Sequence, residues 1–297
     1  MNLSVVILTF NEEANLPACL ESLRALGGGV FVVDSGSKDR TSAVAEAYGA
    51  AVVEHAFESH AKQWSWALEN LPLRSDWILG LDADQRLTPE LAAELSGLLS
   101  ADGAASGFDG FYIKRRQIFR GRWIRHGGYY PKYLLKLFRR GQARLDCNDL
   151  VDHHFYVSGP TGKLRHDLTE ENRKEDDITF WIDKHNRYAT LLAQEEILRS
   201  RDRSLPLRAS LGGNPDQRSL LLKRLWRRLP LFVRPALYFF YRYFAQSGWL
   251  DGREGFVFHF LHAFWFRLLV DIKIDELRGR QPAQQPAARA RSLHRNA

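Results

Sequence analysis

Four short apolar runs, each followed by a segment of helical periodicity, fill the first hundred residues and leave this chain few architectures to choose from. Leu3-Ser4-Val5-Val6-Ile7-Leu8 is almost wholly apolar, the pattern of a parallel strand buried on both faces. Leu16, Cys19, Leu20 and Leu23 form one stripe of a helix expected over Glu13 to Leu26, which Gly27-Gly28-Gly29 stops. Val30 to Val33 is a second strand ending at Asp34, Ala51 to Val53 a third, and Trp77 to Leu81 a fourth. Helices are expected over Thr41 to Tyr48 and His60 to Glu69, and a further one opens at Thr88-Pro89-Glu90 with Thr as its cap and Pro in its first turn. This βαβαβαβ order predicts an α/β fold with a Rossmann-like, mostly parallel mixed sheet flanked by helices. Ligands of such sheets bind outside the carboxyl ends of the strands.

Three of those strand ends carry polar groups. The first ends in Thr9-Phe10-Asn11-Glu12, the second in Asp34-Ser35-Gly36-Ser37, and the fourth in Asp82-Ala83-Asp84. A carboxylate at Asp34 can accept from a nucleoside base or ribose hydroxyl, and Gly36 lets backbone come close to a ligand. Two carboxylates two residues apart can hold a hard divalent cation on a diphosphate. Each group alone is more often a helix cap or a solvated turn; it is their order along one sheet edge that points to a nucleotide.

Further along, Phe111-Tyr112-Ile113 and Leu134 to Phe138 read as strands extending the sheet, with a basic aromatic loop, Arg115 to Lys132, between them. Residues 177–200 read as an amphipathic helix whose Lys184, Arg187 and Tyr188 are candidates to face an acceptor. From Arg199 onward the chain carries a net +12, against −5 for residues 1–198, so the rear half suits an anionic surface. Fifteen Trp, Tyr and Phe lie between Trp226 and Phe266. The apolar stretch Phe256 to Val270 is shorter than the roughly 20 residues a membrane span needs. An interfacial helix pair turning at Gly248–Gly255 is expected, with a packed aromatic core or dimer face as the alternative. Nucleic acid is not expected as a partner, since no nucleic-acid motif is present. The two cysteines, Cys19 and Cys147, lack metal-ligand spacing and fit a reducing compartment. No signal peptide is expected. Gln281 to Ala297 reads as a disordered tail.

The segments "VVILTFNEEANLPACLESL", "VVDSGSKDRT" and "LDADQRLTPEL" resemble the opening of family 2 inverting glycosyltransferases of GT-A fold, in the subgroup that builds lipopolysaccharide core and surface polysaccharides. The resemblance is close over residues 1–100 and looser to 200. It implies a GT-A domain over 1–200, with a nucleotide-binding half (1–100) and an acceptor and catalytic half (101–200). A membrane-associating helical extension over 201–280 follows. The implied reaction is inverting transfer from a nucleotide-sugar, a UDP-sugar first, to a lipid-linked or lipopolysaccharide acceptor with Mg²⁺ or Mn²⁺. The implied place is the cytoplasm, peripheral on the inner face of the bacterial cytoplasmic membrane.

By the same resemblance Thr9, Asn11, Glu12, Asp34, Lys62, Asp82 and Ala83 belong to the nucleotide-sugar site. Asp84 is the direct metal ligand, with Asp82 beside it and His166 completing the shell. Gln85 departs from the Glu that many members carry there. An inverting transfer needs a carboxylate to take the acceptor proton; Asp152 is the first candidate, with Asp149, Asp176 and Asp177 as alternatives. The competing reading is a non-catalytic nucleotide-binding partner in a polysaccharide assembly complex.

Overall fold

The computed structural model describes residues 2–100, 105–146, 148–151, 153–201 and 209–279. Its centre is a nine-stranded sheet built on the expected parallel core: β1 (Leu3–Thr9), β2 (Gly29–Asp34), β3 (Ala51–Glu54) and β4 (Trp77–Asp82). The order is β3-β2-β1-β4, all parallel, with Thr9 level with Asp34 and Leu8 level with Asp82. That register brings the polar ends of three strands to one edge.

Burial on both faces explains the apolar runs. Val5 and Ile7 of β1 pack with Leu16, Leu20 and Leu23 of α1 (Leu16–Leu23), while Val6 packs on the other side with Trp64 and Ala67 of α3 (His60–Asn70). Gly80 sits under Trp64 and Phe155. A Cβ there would lie 2.9 Å from the Phe155 ring and 3.2 Å from Trp64, so glycine is the residue that lets these rings close over β4. Helix α2 (Thr41–Ala47) links β2 to β3.

The remaining strands wrap the core with antiparallel members. After β5 (Gln85–Leu87) and α4 (Pro89–Ser100) come β6 (Gly110–Phe119), β7 (Arg122–Ile124), β8 (Lys132–Arg139) and β9 (Thr161–Glu171). The sheet continues β4-β8-β6-β9-β5, with β7 paired to β6. The segment expected as a loop from Arg115 is in fact strand to Phe119, closed by a tight hairpin at Arg120 and Gly121, both with positive φ.

A long helix, α5 (Ile178–Arg201), close to the expected 177–200, carries the C-terminal region. α6 (Pro215–Trp226) is followed by α7 (Arg234–Phe240), which runs into a π-helical turn at Tyr241–Ala245. A continuous helix then spans Gly248–Gly279, comprising a 3₁₀ turn at Gly248–Asp251, α8 (Gly252–His259), a π segment at Phe260–Trp265 and α9 (Phe266–Gly279). Its 32 residues are long and apolar enough, by length and composition, to cross a membrane. The expected limit of about 15 residues fails because polar His259, His262 and Arg267 interrupt the hydropathy without interrupting the helix. One face is packed: Phe266, Val270 and Ile274 lie on Ala189 and Ala193 of α5, and Phe258 on Phe119, Ile124 and Trp181. Leu237 and Phe240 of α7, Tyr241 and Phe244 of the π-helical turn, and Phe256 and Phe260 of this helix are exposed. The expected tail, Gln281 to Ala297, lies outside the described residues, as does Cys147.

One fully buried cation locks three helices. Arg234 of α7 donates from Nε to Asp271 of α9 at 2.7 Å and from Nη1 to Glu196 of α5 at 2.7 Å, while Asp271 also accepts the Phe232 backbone N–H at 2.8 Å. Removing one partner of a buried pair strands the other. Asp271→Ala is therefore expected to cost about 3–5 kcal/mol, read as a lowered midpoint in urea unfolding. A loss below about 1 kcal/mol would show that Arg234 finds other compensation.

Candidate active site

A cavity of ≈ 960 Å³ opens at the carboxyl edge of β1 and β4. It is lined by the strand ends, by Val151, His153, His154 and Phe155, and by α5. The α5 residues that reach it are Phe180, Lys184, Arg187 and Tyr188, spaced i, i+4, i+7 and i+8 on one helical face. At the upper end of ordinary ligand-pocket volumes, it has room for two substrates.

Asp82 closes β4, and Ala83-Asp84 turns the chain into β5. Asp82 Oδ2 accepts from Lys136 Nζ at 2.9 Å, and Nε2 of His153 lies 4.0 Å from Oδ1. Lys136 reaches it because β8 carries a bulge. Phe111 pairs with Leu137 and the next residue, Tyr112, with Leu135, which leaves Lys136 as the extra residue re-aimed into the cavity. Burial by itself raises the Asp82 carboxyl, but the Lys136 ammonium outweighs it and holds the group well below the usual carboxylate range. His153 is pushed down to about 3, first by burial and against the pull of Asp82; it is a neutral imidazole at neutral pH.

Asp84 is different. Its carboxylate has no hydrogen-bond donor or ion-pair partner among the described residues. Burial, then the carboxylates of Glu170 and Asp82, raise its proton affinity well above the usual range, with Lys184 pulling the other way. A half-buried carboxylate facing other carboxylates is the electrostatic condition a divalent cation relieves. Among the described residues no three His, Cys, Asp or Glu side chains form a ready shell.

Gln85 explains its own departure from the family pattern. Its Oε1 accepts the Asp82 backbone N–H at 3.2 Å and its Nε2 donates to Glu170 at 2.8 Å. A glutamate at 85 would set a carboxylate against Glu170; the amide instead ties the aspartate turn to β9. Arg115 holds the same Glu170 at 2.9 and 3.1 Å.

The loops after β1 and β2 interlock. Asn11, at φ 53°, donates its backbone N–H to Ser37 and accepts from Lys38 N–H, both at 2.7 Å. Glu12 accepts from Lys174 Nζ at 2.6 Å. Thr9, Asn11, Glu12, Asp82, Ala83 and Asp84 all line the cavity, as the sequence suggested. Asp34 does not. It is buried, and its two oxygens accept from Thr9, Gly36 and Ser37, so here it shapes the loop while Ser35 faces the cavity.

Other expected residues lie elsewhere. Lys62 pairs with Glu58 on the outer side of α3, and its neighbour Gln63 faces the cavity instead. His166 sits in an irregular stretch of β9 and bonds Glu94 of α4 at 2.9 Å, outside the cavity; the missed cue was that β9 reaches the site only at Glu170. Asp149 is buried in a cluster with Arg199 and His154. Asp177 bonds the Thr179 N–H at 2.8 Å as a helix-start residue, and Asp176 is exposed beside it. Asp152 lies outside the described residues, between Val151 and His153, which both line the cavity. Lys136, Glu170, Lys174 and Asp216 are cavity residues that sequence reasoning passed over. Lys136 had one signal: it is the lone charge in Leu134-Leu135-Lys136-Leu137-Phe138.

Residues 4–164, more than half the chain, match the family described as glycosyl transferase family 2. The chain belongs to that family. This family 2 glycosyltransferase is 29% identical over 265 residues to LpsC, a lipopolysaccharide core biosynthesis glycosyltransferase of Rhizobium meliloti (strain 1021), across 86% of this chain and 85% of that one. It is 37% identical over 119 residues to an undecaprenyl-phosphate 4-deoxy-4-formamido-L-arabinose transferase of Pseudomonas aeruginosa (strain LESB58), covering 36% and 33%. Among solved structures, S. aureus TarS 1-349 in complex with UDP aligns over 96% of this chain and 93% of that one, at 15% identity and a TM-score of 0.44. Glucosyl-3-phosphoglycerate synthase from Mycobacterium tuberculosis, in complex with Mn²⁺, UDP-glucose and phosphoglyceric acid, aligns over 39% and 43%, at 26% identity and a TM-score of 0.32.

The neutral state of His153 has a pH signature. An unfolded chain takes up that proton near pH 6.5, whereas the folded protein resists it down to about 3. The stability it contributes is complete above pH 6.5 and is lost as pH falls towards 3, at about 1.4 kcal/mol per pH unit. His153→Gln should flatten the stability–pH curve by about that slope within this window, measured by urea unfolding. An unchanged slope would mean that the folded protein protonates His153 freely.

Proposed function

We propose that this glycosyltransferase transfers a sugar, with inversion, from a nucleotide-sugar (a UDP-sugar first among them) to a lipid-linked or lipopolysaccharide acceptor. The observation that carries this reading is Asp84, a carboxylate without a protein donor, set beside the ion-paired Asp82 at the carboxyl edge of the sheet. Asp84 would hold the Mg²⁺ or Mn²⁺, with Asp82 or Glu170 beside it. Such an ion supplies charge neutralisation to the departing nucleoside diphosphate. Lys136 keeps Asp82 ionised and fixed, available to a ribose hydroxyl or the ion.

In the transfer the acceptor oxygen forms its bond to the anomeric carbon as the bond to the diphosphate oxygen breaks, and that electron pair leaves with the nucleotide. The acceptor hydroxyl proton goes to a carboxylate, for which Asp152 is the candidate. Asp149 is the weaker choice because Arg199 and His154 already occupy it; Asp176 and Asp177 lie outside the cavity.

The exposed aromatic face of α7 and α8 supports docking on an anionic bilayer. Lys223, Arg224, Arg227 and Arg228 stand at the end of α6, and each basic residue near such a surface contributes about 1 kcal/mol. On this reading the enzyme works on the cytoplasmic face of the membrane, where the acceptor lipid is reached without leaving the bilayer.

Asp84→Ala is expected to lower donor turnover at least about 100-fold, the scale of losing one transition-state stabilising group, with an unchanged or raised melting temperature because a repelled carboxylate is gone. Undiminished turnover would sink the assignment of Asp84. Separately, the protein should float with phosphatidylglycerol vesicles, and Phe240→Ser/Phe244→Ser should weaken that; equal flotation by the variant would leave this face without a lipid role.

A further inference from the structure

Asp216 is a buried carboxylate that the donor site does not use. It lies in the first turn of α6 and lines the cavity. Helix capping does not account for it, because Asn214 and Gln217 already exchange the two hydrogen bonds of a capping box. Among the described residues its carboxylate takes one hydrogen bond, accepted at Oδ2 from the Tyr112 hydroxyl of β6 at 2.6 Å, and no ion pair. Burial raises its proton affinity, while Tyr112, His154 and Lys223 pull the other way without offsetting it. Holding Tyr112 needs no charge, since an amide oxygen at position 216 would accept the same bond. A carboxylate buried under one neutral donor is costly, and groups of this kind gather where a ligand supplies further donors.

His154 lines the same cavity. Its Nδ1 lies 3.3 Å from Asp149 Oδ2. Burial alone would raise the Asp149 carboxyl, but His154, Lys223 and Arg199 outweigh it and hold it below its usual range. An ionised carboxylate only accepts, so Nδ1 carries the proton and Nε2 remains for other partners. Arg199 of α5 fixes this arrangement from behind: it bonds Asp149, Asp146 at 2.9 Å and Glu195 at 3.0 Å. Tyr112 stands opposite Leu135 in the β6–β8 pairing, and Leu135 precedes Lys136. The Tyr112–Asp216 contact is thus rooted one strand from the residue that holds Asp82.

We propose that Asp216 and His154 form a hydroxyl-reading subsite for a sugar ring. Asp216 Oδ1 accepts from ring hydroxyls, His154 Nε2 accepts from another, and Tyr112 is the residue that positions the carboxylate. The inference rests on the transfer reaction proposed above, which brings a donor sugar to the cavity and, with a glycan acceptor, a second ring. Both rings present the same chemistry, and the test separates them. A site built on a buried carboxylate discriminates strongly, because a sugar without the matching hydroxyl leaves that carboxylate unpaired.

Two arms are run on the full chain with Mg²⁺, for the wild type, Asp216→Asn, His154→Gln and Tyr112→Phe. Calorimetry reads the affinity for UDP, UDP-glucose, UDP-galactose and UDP-N-acetylglucosamine. Saturation-transfer NMR reads the methyl glycosides of glucose, galactose and mannose on the UDP-loaded protein. Asp216→Asn keeps an oxygen for Tyr112, and urea unfolding checks that each variant is folded. The expected result is that the wild type prefers one sugar in at least one arm. That preference should fall about tenfold in Asp216→Asn and His154→Gln, the scale of one hydrogen bond to a charged group, and by less in Tyr112→Phe, with UDP affinity unchanged. A loss in the first arm assigns the subsite to the donor ring, and a loss in the second to the acceptor ring. No sugar preference in either arm, or a preference that the folded variants retain, would overturn the proposal. Variants that lose UDP affinity to the same extent would make these residues part of the nucleotide site and overturn it too. Failure of the wild type to bind UDP would remove the donor reading and this inference with it.

Discussion

The ion pair between Lys136 and Asp82 is the interaction on which the site depends. It joins the parallel core, through the last residue of β4, to the antiparallel extension, through the bulged residue of β8. A lysine this deeply buried is tolerated because its charge is satisfied at short range. The pair also makes the two aspartates electrostatically unequal. With Asp82 neutralised from within the protein, Asp84 stands beside Glu170 with Lys184 as the cation that acts on it. The same spacing of carboxylates without Lys136 would be two groups repelling each other; with it, Asp82 is ion-paired and Asp84 faces the neighbouring carboxylates.

Helix α5 is the second organising element. Its inner face closes the cavity with Phe180, Lys184, Arg187 and Tyr188, and its outer face receives α9 through Ala189 and Ala193. Small residues let the two helices approach closely, and Arg234 then ties α5, α7 and α9 through one buried guanidinium. Close contact elsewhere has the same requirement. Gly127, at φ 68°, lies against the His259 ring, and a Cβ there would fall 2.0 Å from its Cε1. The aromatic helices are thereby bound to the wall of the cavity, so the exposed aromatic face and the cavity share one support.

Much of the fold was legible because burial on both faces leaves no ambiguity in an apolar run. β1, β2, β4 and the helices between them follow from hydrophobic period and from glycine and proline punctuation. That Thr9, Asn11, Glu12, Asp82 and Asp84 would line one cavity was legible because strand ends of a parallel sheet share one edge. Residues contributed by the antiparallel half were not. β9 returns beside β5 in a register that puts Glu170 opposite Gln85, and no local pattern announces that pairing. The position of His166 was not legible for the same reason: its place along β9 is set by an irregularity in the β6 pairing, and it meets Glu94 outside the cavity. Asp34 was placed at the correct edge, but its carboxylate is taken up by its own loop.

The amino-acid order alone determined the alternation of strand and helix, the edge at which ligands gather, and the family-like aspartate turn, since all of these arise from contacts near in sequence or from burial that any parallel sheet imposes. Only the tertiary structure decided which charges are spent on one another and which remain to meet a ligand. That depends on pairs such as Lys136 with Asp82 and Gln85 with Glu170, 54 and 85 residues apart. Electrostatic interactions act through space at a few ångströms, and the chain acquires those distances only when it is folded.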